Sequence, residues 1–391
     1  MEKLRWSEWP RFDQEQIDAV GRVLASGRVN YWTGEETRLF EREYATYLGR
    51  RHSIALANGT VALELALESF GVGAGDEVIV PARTYVASAS CVAVRGARPV
   101  IVDVDLDSGC ITAETARAGL TARTRAIVAV HLGGWPCDMD PIMKLAADHN
   151  LLVVEDCAQA HGAFYKGRPV GSIGHAGAFS FCQDKIITTG GEGGLLALDD
   201  ETAWRRAWAY KDLGRSFAAV YEREHAPGFR WLIDSFGTNW RMTEMQAALG
   251  RIQMQRLPMW SRQRAENANV LYAALHVLDA LRCPRPGADL MHANYRSYVF
   301  VRPERLAGRW SRDRILSEIE ARGVPCGVGS CSEIYRERAF SDRDWALLER
   351  LPAARQLGDT SLAFLVHPTL DPREMQEAAD IIRSVVLQAT A

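Results

Sequence analysis

Lysine is almost missing from this sequence. Only five of its 46 basic residues are lysine: Lys3, Lys144, Lys166, Lys185 and Lys211. A guanidinium stays charged, so a step that needs an amine able to attack a carbonyl must fall to one of these five. Long apolar runs are missing as well, none approaching the roughly eighteen residues of a membrane span, and no membrane association is expected. The formal net charge is only -3, which gives no electrostatic case for nucleic acid. Eight cysteines contain no CxxC pair, and the five-residue step from Cys326 to Cys331 fits no zinc spacing, so neither a disulfide framework nor a metal site is expected. Cys91, Cys157 and Cys182 stand in apolar contexts and read as buried thiols. The opening MEKLRWSEWPRF has neither a secretory nor a transit pattern, and the cytoplasm is the expected location.

What is present is an ordinary folded composition, 47% hydrophobic and 24% charged. At 391 residues the chain exceeds what one core supports, so a large domain over 1–255 and a smaller one over 256–391 are expected. Residues 1–50 read as two helices, the first with apolar positions Ile17, Val20, Val23 and Leu24 and a stop at Gly27. From residue 51, strand and helix patterns alternate. HSIALA, DEVIVP, PVIVDVD, RAIVAVHL, LLVVED, AFSF and LLAL are seven Val/Ile/Leu-rich strands, with helical patterns between most of them. Such near-continuous apolar strands belong to a mainly parallel sheet covered on both faces, and hence to an α/β fold. Beyond residue 255 a long helix at 256–276, a strand at 295–303, and helices at 312–323 and from Pro372 suggest a small α+β domain.

The polar motifs fall just after strand ends, where open α/β sheets bind ligands. Asn58-Gly59-Thr60 joins the first strand to its helix. Helix-terminal amides and the Thr60 hydroxyl there suit a phosphate, the plainer reading being Thr60 as N-cap. There is no Walker loop and no GxGxxG, which disfavours a dinucleotide. Asp156 ends LLVVED, an apolar frame in which a carboxylate needs a positive or donating partner; the plainer role is a helix cap. Lys185 stands four residues past the end of AFSF and precedes Thr188, Thr189 and several glycines; alone it would read as a solvated lysine in a hairpin loop. Tyr85, in PARTYVAS, could stack on a flat ligand. A phosphate cradle, an acid for a protonated ring nitrogen and an isolated lysine match the handles of pyridoxal 5'-phosphate.

The ordered set ANGTVALELAL, DEVIVPARTYVAS, GARPVIVDVD, VVEDCAQAHGA, FSFCQDKIITTGGEGG and GTNWRMTEMQAALG resembles the DegT/DnrJ/EryC1/StrS sugar aminotransferases from about residue 12 to 385. The resemblance implies the aspartate-aminotransferase-like fold (fold type I), with a seven-stranded, mainly parallel sheet and a small C-terminal domain. It implies a homodimer with active sites at the interface, a keto-sugar substrate, in all expectation nucleotide-linked, and glutamate as the amino donor. Residue by residue, it puts cofactor attachment on Lys185 and the ring-nitrogen partner on Asp156. Gln159 is placed near the ring oxygen and Tyr85 on the ring face. Gly59, Thr60 and Ser180 are placed at the phosphate, joined by Asn239 from the other subunit. Some relatives replace the lysine with histidine and act as dehydratases; Lys185 favours transamination. Asp212, in YKDLGRS, departs from the Asn-His-Gly type of segment of many relatives. A cyclitol or free keto sugar is the alternative substrate, and a non-catalytic cofactor-binding regulator is the alternative from another class.

Overall fold

The computed structural model describes residues 6–343 and 345–391, so Lys3 lies outside the described part. Helices α1 (Gln14–Ser26) and α2 (Glu36–Leu48) precede the sheet strands. These are β1 (His52–Leu56), β2 (Glu77–Pro81), β3 (Arg98–Val102), β4 (Thr124–Val130), β5 (Leu152–Asp156), β6 (Ala176–Ser180) and β7 (Gly194–Leu198). All seven lie within three residues of the apolar runs. Between them run α3 (Gly59–Ser69), α4 (Ala87–Val94), α5 (Ala113–Ala118) and α6 (Met139–Asp148).

The strand order is β1-β7-β6-β5-β4-β2-β3. β2, β3, β4, β5 and β6 pair in parallel, whereas β7 is antiparallel to both of its neighbours, β1 and β6. The buried runs give both faces apolar contacts, and residues such as Ile54, Val78, Ile127, Val153 and Leu196 are wholly covered. The five parallel strands end on one edge, and the register puts Asp156 between Val130 and Ala178 there.

After β7 come α7 (Glu201–Tyr210), the short α8 (Phe217–Tyr221) and α9 (Glu244–Leu275), which begins twelve residues before the expected 256. At 1.5 Å per residue its 32 residues span about 48 Å. The 255/256 boundary therefore falls inside a continuous helix. Its far half packs with a four-stranded antiparallel sheet and with α10 (Arg312–Ala321) and the terminal helix Pro372–Ala389 around a second apolar cluster. On α1 the apolar pattern misled: Ala19 and Val23 are buried, but Ile17 and Leu24 are more than half exposed. Among the described residues no helix is long and apolar enough to cross a membrane.

Candidate active site

Asp156 closes β5, the central strand in the spatial order of the sheet, and is 6% exposed. The Ser88 hydroxyl donates to its Oδ2 at 2.8 Å and the Ala158 amide to its Oδ1 at 3.1 Å. Ser88 shares a 2.7 Å hydrogen bond with Thr84, so the β2–α4 connection steadies the acid. A turn follows Asp156, not a helix, which removes the cap role. Burial raises its pKa, opposed by Ser88, by the Ala158 amide and by the Lys185 charge. Two neutral donors leave lone pairs on a buried carboxylate for a cationic N–H.

Lys185 sits in the connection from β6 to β7. The Trp9 indole donates to its carbonyl at 2.9 Å, tying the N-terminal segment to this turn. Its Nζ lies 5.0 Å from the centroid of the Tyr295 ring, and the side chain is 16% exposed. The nearest carboxylate oxygen, on Asp184, is 4.0 Å away, beyond hydrogen-bond reach, and Asp184 also accepts from the Tyr295 hydroxyl. Lys144 and Lys166 are exposed in ion pairs with Asp148 and Asp140. Lys211 is wholly buried, 3.7 Å from the Tyr31 ring centroid and 4.9 Å from that of Trp208. Lys185 alone among these four is partly covered and without a close partner.

The cap of α3 is Asn58, whose Oδ1 accepts from the Val61 amide at 3.0 Å; Thr60 is therefore not the cap. Its hydroxyl and the first amides of α3 stay available for an anion. This turn is clamped against the ends of β6 and β7. A Cβ on Gly59 would stand 2.5 Å from the Cβ of Ser180, and one on Gly194 would stand 2.1 Å from the Asn58 carbonyl oxygen. Thus Gly59, Thr60 and Ser180 converge. Beneath Ser180, His161 donates from Nε2 to the Ser180 carbonyl and pairs through Nδ1 with the Tyr44 hydroxyl, both at 2.8 Å.

Gln159, 8% exposed, accepts from the Gly133 amide at 2.7 Å and donates to the Ser330 hydroxyl at 3.3 Å. The Ser330 amide in turn donates to the Tyr298 hydroxyl at 3.0 Å. Sequence reasoning missed Ser88, Ser330 and Tyr298, because no motif marks a side chain that acts only through a distant partner. Tyr85 is 68% exposed beside this group. Asn239 is apart: its side chain is exposed and forms no hydrogen bond among the described residues, although Trp240 and Arg241 run along the end of β1. Asp212, the departure from the relatives' pattern, is wholly buried between Arg241, Arg215 and Lys211, where it offsets their charge.

Two other features resolve plainly. Cys182 is half-buried, not covered, because its strand ends two residues earlier, at Ser180. His131, Glu155 and Cys157 cluster closely enough for a metal. Yet the Glu155 carboxylate already accepts from three amides, of Gly171, Ile173 and Gly174, and from His131, whose other ring nitrogen accepts from the Cys137 amide.

A family profile, the DegT/DnrJ/EryC1/StrS aminotransferase family, matches residues 10–383. The chain belongs to this family. It is a pyridoxal-phosphate-dependent aminotransferase, and the donor set above suits that cofactor: a buried acid, a helix N-terminus with two hydroxyls and an unpartnered lysine. A solved aminotransferase from Psychrobacter cryohalolentis is 55% identical, with a TM-score of 0.97 over 99% of this chain and 100% of that one. The dTDP-3-amino-3,4,6-trideoxy-alpha-D-glucose transaminase of Streptomyces venezuelae is 37% identical over 93% of this chain and 90% of its own. The L-glutamine:2-deoxy-scyllo-inosose aminotransferase of Streptomyces fradiae is 39% identical over 76% of this chain and 71% of its own.

Proposed function

We propose that this aminotransferase moves an amino group from glutamate or glutamine to the carbonyl of a keto sugar carried on a nucleotide. The observation that carries the reading is the pairing of Lys185 with Asp156 at the same edge of the sheet, beside the Gly59–Thr60–Ser180 cradle. When bound, pyridoxal 5'-phosphate supplies an electron sink that lets a C–H bond beside nitrogen ionise. Within the chain, Asp156 would hold the ring nitrogen's proton: burial raises its pKa, and a cationic N–H beside it favours the carboxylate. Lys185 would hold the cofactor through its amine and, when that amine is free and neutral, would act as the base that moves a proton. Gly59, Thr60 and Ser180 hold the phosphate, Gln159 orients the ring from its edge, and Tyr85 covers one face.

The unit we propose is a homodimer. Phe229, Trp231 and Phe236 are 78%, 78% and 98% exposed, in the segment that leads to Asn239. Three bare aromatics within eight residues are unusual on a monomer's surface and suit burial against a second copy. Asn239 would then serve the partner's phosphate site. A cyclitol ketone is the second reading for the substrate, supported by the scyllo-inosose enzyme among the relatives.

The test is turnover. Purified holoenzyme is incubated with glutamate or glutamine and a panel of nucleotide-linked keto sugars and cyclitol ketones. Amination of a nucleotide-linked ketone is expected by mass spectrometry. Amination of cyclitols alone would move the reading to the second substrate, and amination of neither class would overturn both.

A further inference from the structure

Beside the site, and sharing Tyr298 with it, lies a cavity of about 290 Å³ lined by a buried arginine. Arg83 stands two residues past the end of β2, and Gly109, Leu132 and Trp135 of the same lining follow β3 and β4. The cavity therefore opens on the sheet edge at which Asp156 ends β5. Arg83 is 1% exposed, and its Nε, Nη1 and Nη2 are buried without a hydrogen-bond partner among the described residues. The Tyr298 and Phe300 rings cover the guanidinium, their centroids 5.0 and 5.7 Å from its Cζ. Ring faces steady a cation but do not take up its in-plane N–H groups. Burial accordingly lowers the pKa of Arg83 even with the Tyr298 phenol close by.

The rest of the lining adds positive charge. Arg285 lies 3.5 Å from the Tyr272 ring centroid and bonds only to the neutral Asn269 amide, at 2.7 Å. Arg296 lines both this cavity and the cleft beside Trp9 and Asp184, next to Lys185. The carboxylate among the lining residues, Asp107, is already paired with Arg282. A buried, unpaired guanidinium among further arginines is a poor way to stabilise a fold and a good way to hold an anion.

We infer that this cavity binds the oxyanion of a small ligand, a phosphoryl or carboxylate group seated on Arg83, with Trp135 offering a contact surface for an attached ring. Two sources carry that chemistry: the diphosphate of a nucleotide-linked substrate, and the carboxylate of the amino donor. Assigning the oxyanion to a substrate rests on the aminotransferase reading above. The site itself does not, and binding is measured without turnover.

The holoenzyme, with its cofactor-phosphate site filled, is titrated calorimetrically with inorganic phosphate, dTDP and L-glutamate. At least one probe is expected to bind, and Arg83→Gln to weaken it by ~10-fold or more, as loss of a charge-assisted bond does. Arg83→Lys should lose less. Arg285→Gln, on the exposed rim, should weaken the same probe by a smaller factor, and it reports even if the Arg83 variants fold poorly. An Arg-dependent response to dTDP assigns the nucleotide, one to glutamate assigns the donor, and one to phosphate alone assigns a free oxyanion; each supports the site. If no probe binds, or if neither Arg83→Gln nor Arg285→Gln weakens binding beyond about twofold, the inference is overturned.

Discussion

His161 is where a single side chain's protonation can be read as stability. Its Nε2–H donates to the Ser180 carbonyl while Nδ1 meets the Tyr44 hydroxyl, a pattern built for the neutral ring. Burial pushes its pKa down from 6.5 to about 4. The folded chain thus binds fewer protons at His161 than the unfolded chain between those values. Stability is fully present above pH 6.5 and falls as the pH drops toward 4, by about 3 kcal/mol from this group. Glu41, pushed up to about 7 by burial, acts in the opposite sense: its contribution improves as pH falls from 7 toward 4.5. The check is denaturant unfolding of the cofactor-free parent and of His161→Gln across pH 7 to 4, in which Glu41 cancels from the difference. A flat difference curve would mean that His161 is charged or solvated. At this scale the sequence was legible where a residue type is rare or stands at a strand end, as with Lys185 and Asp156. Arg83 gave no such signal, being one arginine among many, and its isolation depends on Tyr298 and Phe300, more than two hundred residues away in the chain.

Among the elements, the clamped turn between β1 and α3 matters most. Gly194 opens β7 against the Asn58 carbonyl, and a Cβ there would meet that oxygen at 2.1 Å and its carbon at 2.3 Å. Backbone cannot rotate away as a side-chain tip can. Gly194→Ala should cost roughly 1–3 kcal/mol of stability, as overpacking does, and should weaken cofactor affinity by displacing the amides that face the phosphate. Gly287→Ala, with open space around its Cβ, is the control and should change neither property. Thermal melts and cofactor titration of both variants decide this; unchanged cofactor affinity in Gly194→Ala would remove the cradle from this turn. The strands were legible because Val/Ile/Leu runs have few alternatives. The antiparallel course of β7 was not, since both faces of β7 are buried whichever way it runs. The start of α9 does carry a signal, the Thr243/Gln246 capping box at the head of the apolar run MTEMQAALGRI; what was not legible was that this helix continues through Pro258 into the one expected from 256.

For the whole molecule, the question is whether one chain makes one site. The structure brings Lys185, Asp156, Gln159, Gly59, Thr60 and Ser180 to one sheet edge and leaves Asn239 on the surface, beside bare aromatics. If Asn239 completes the partner's site, two inactive variants should complement each other. Asn239→Asp puts a carboxylate against the cofactor phosphate, where it is repelled, and must first be shown to be inactive. Mixed with Lys185→Ala, it forms hybrids in which one site carries both defects and the other neither. Equal mixing with full exchange should restore roughly a quarter of the parental rate. Exchange without recovery would mean that Asn239 serves its own chain's site or none. The proposal of a shared site rests on resemblance, since no residue in GTNWRM says by itself which subunit it serves.

The central claim is that Lys185, out of five lysines, carries the cofactor. Borohydride reduction of the holoenzyme fixes pyridoxal phosphate to the amine that holds it, and peptide mass spectrometry then reads the position. The expected result is a single modified peptide containing Lys185, formed in proportion to the loss of activity. Stoichiometric labelling of Lys144, Lys166 or Lys211 with Lys185 unmodified would contradict the account.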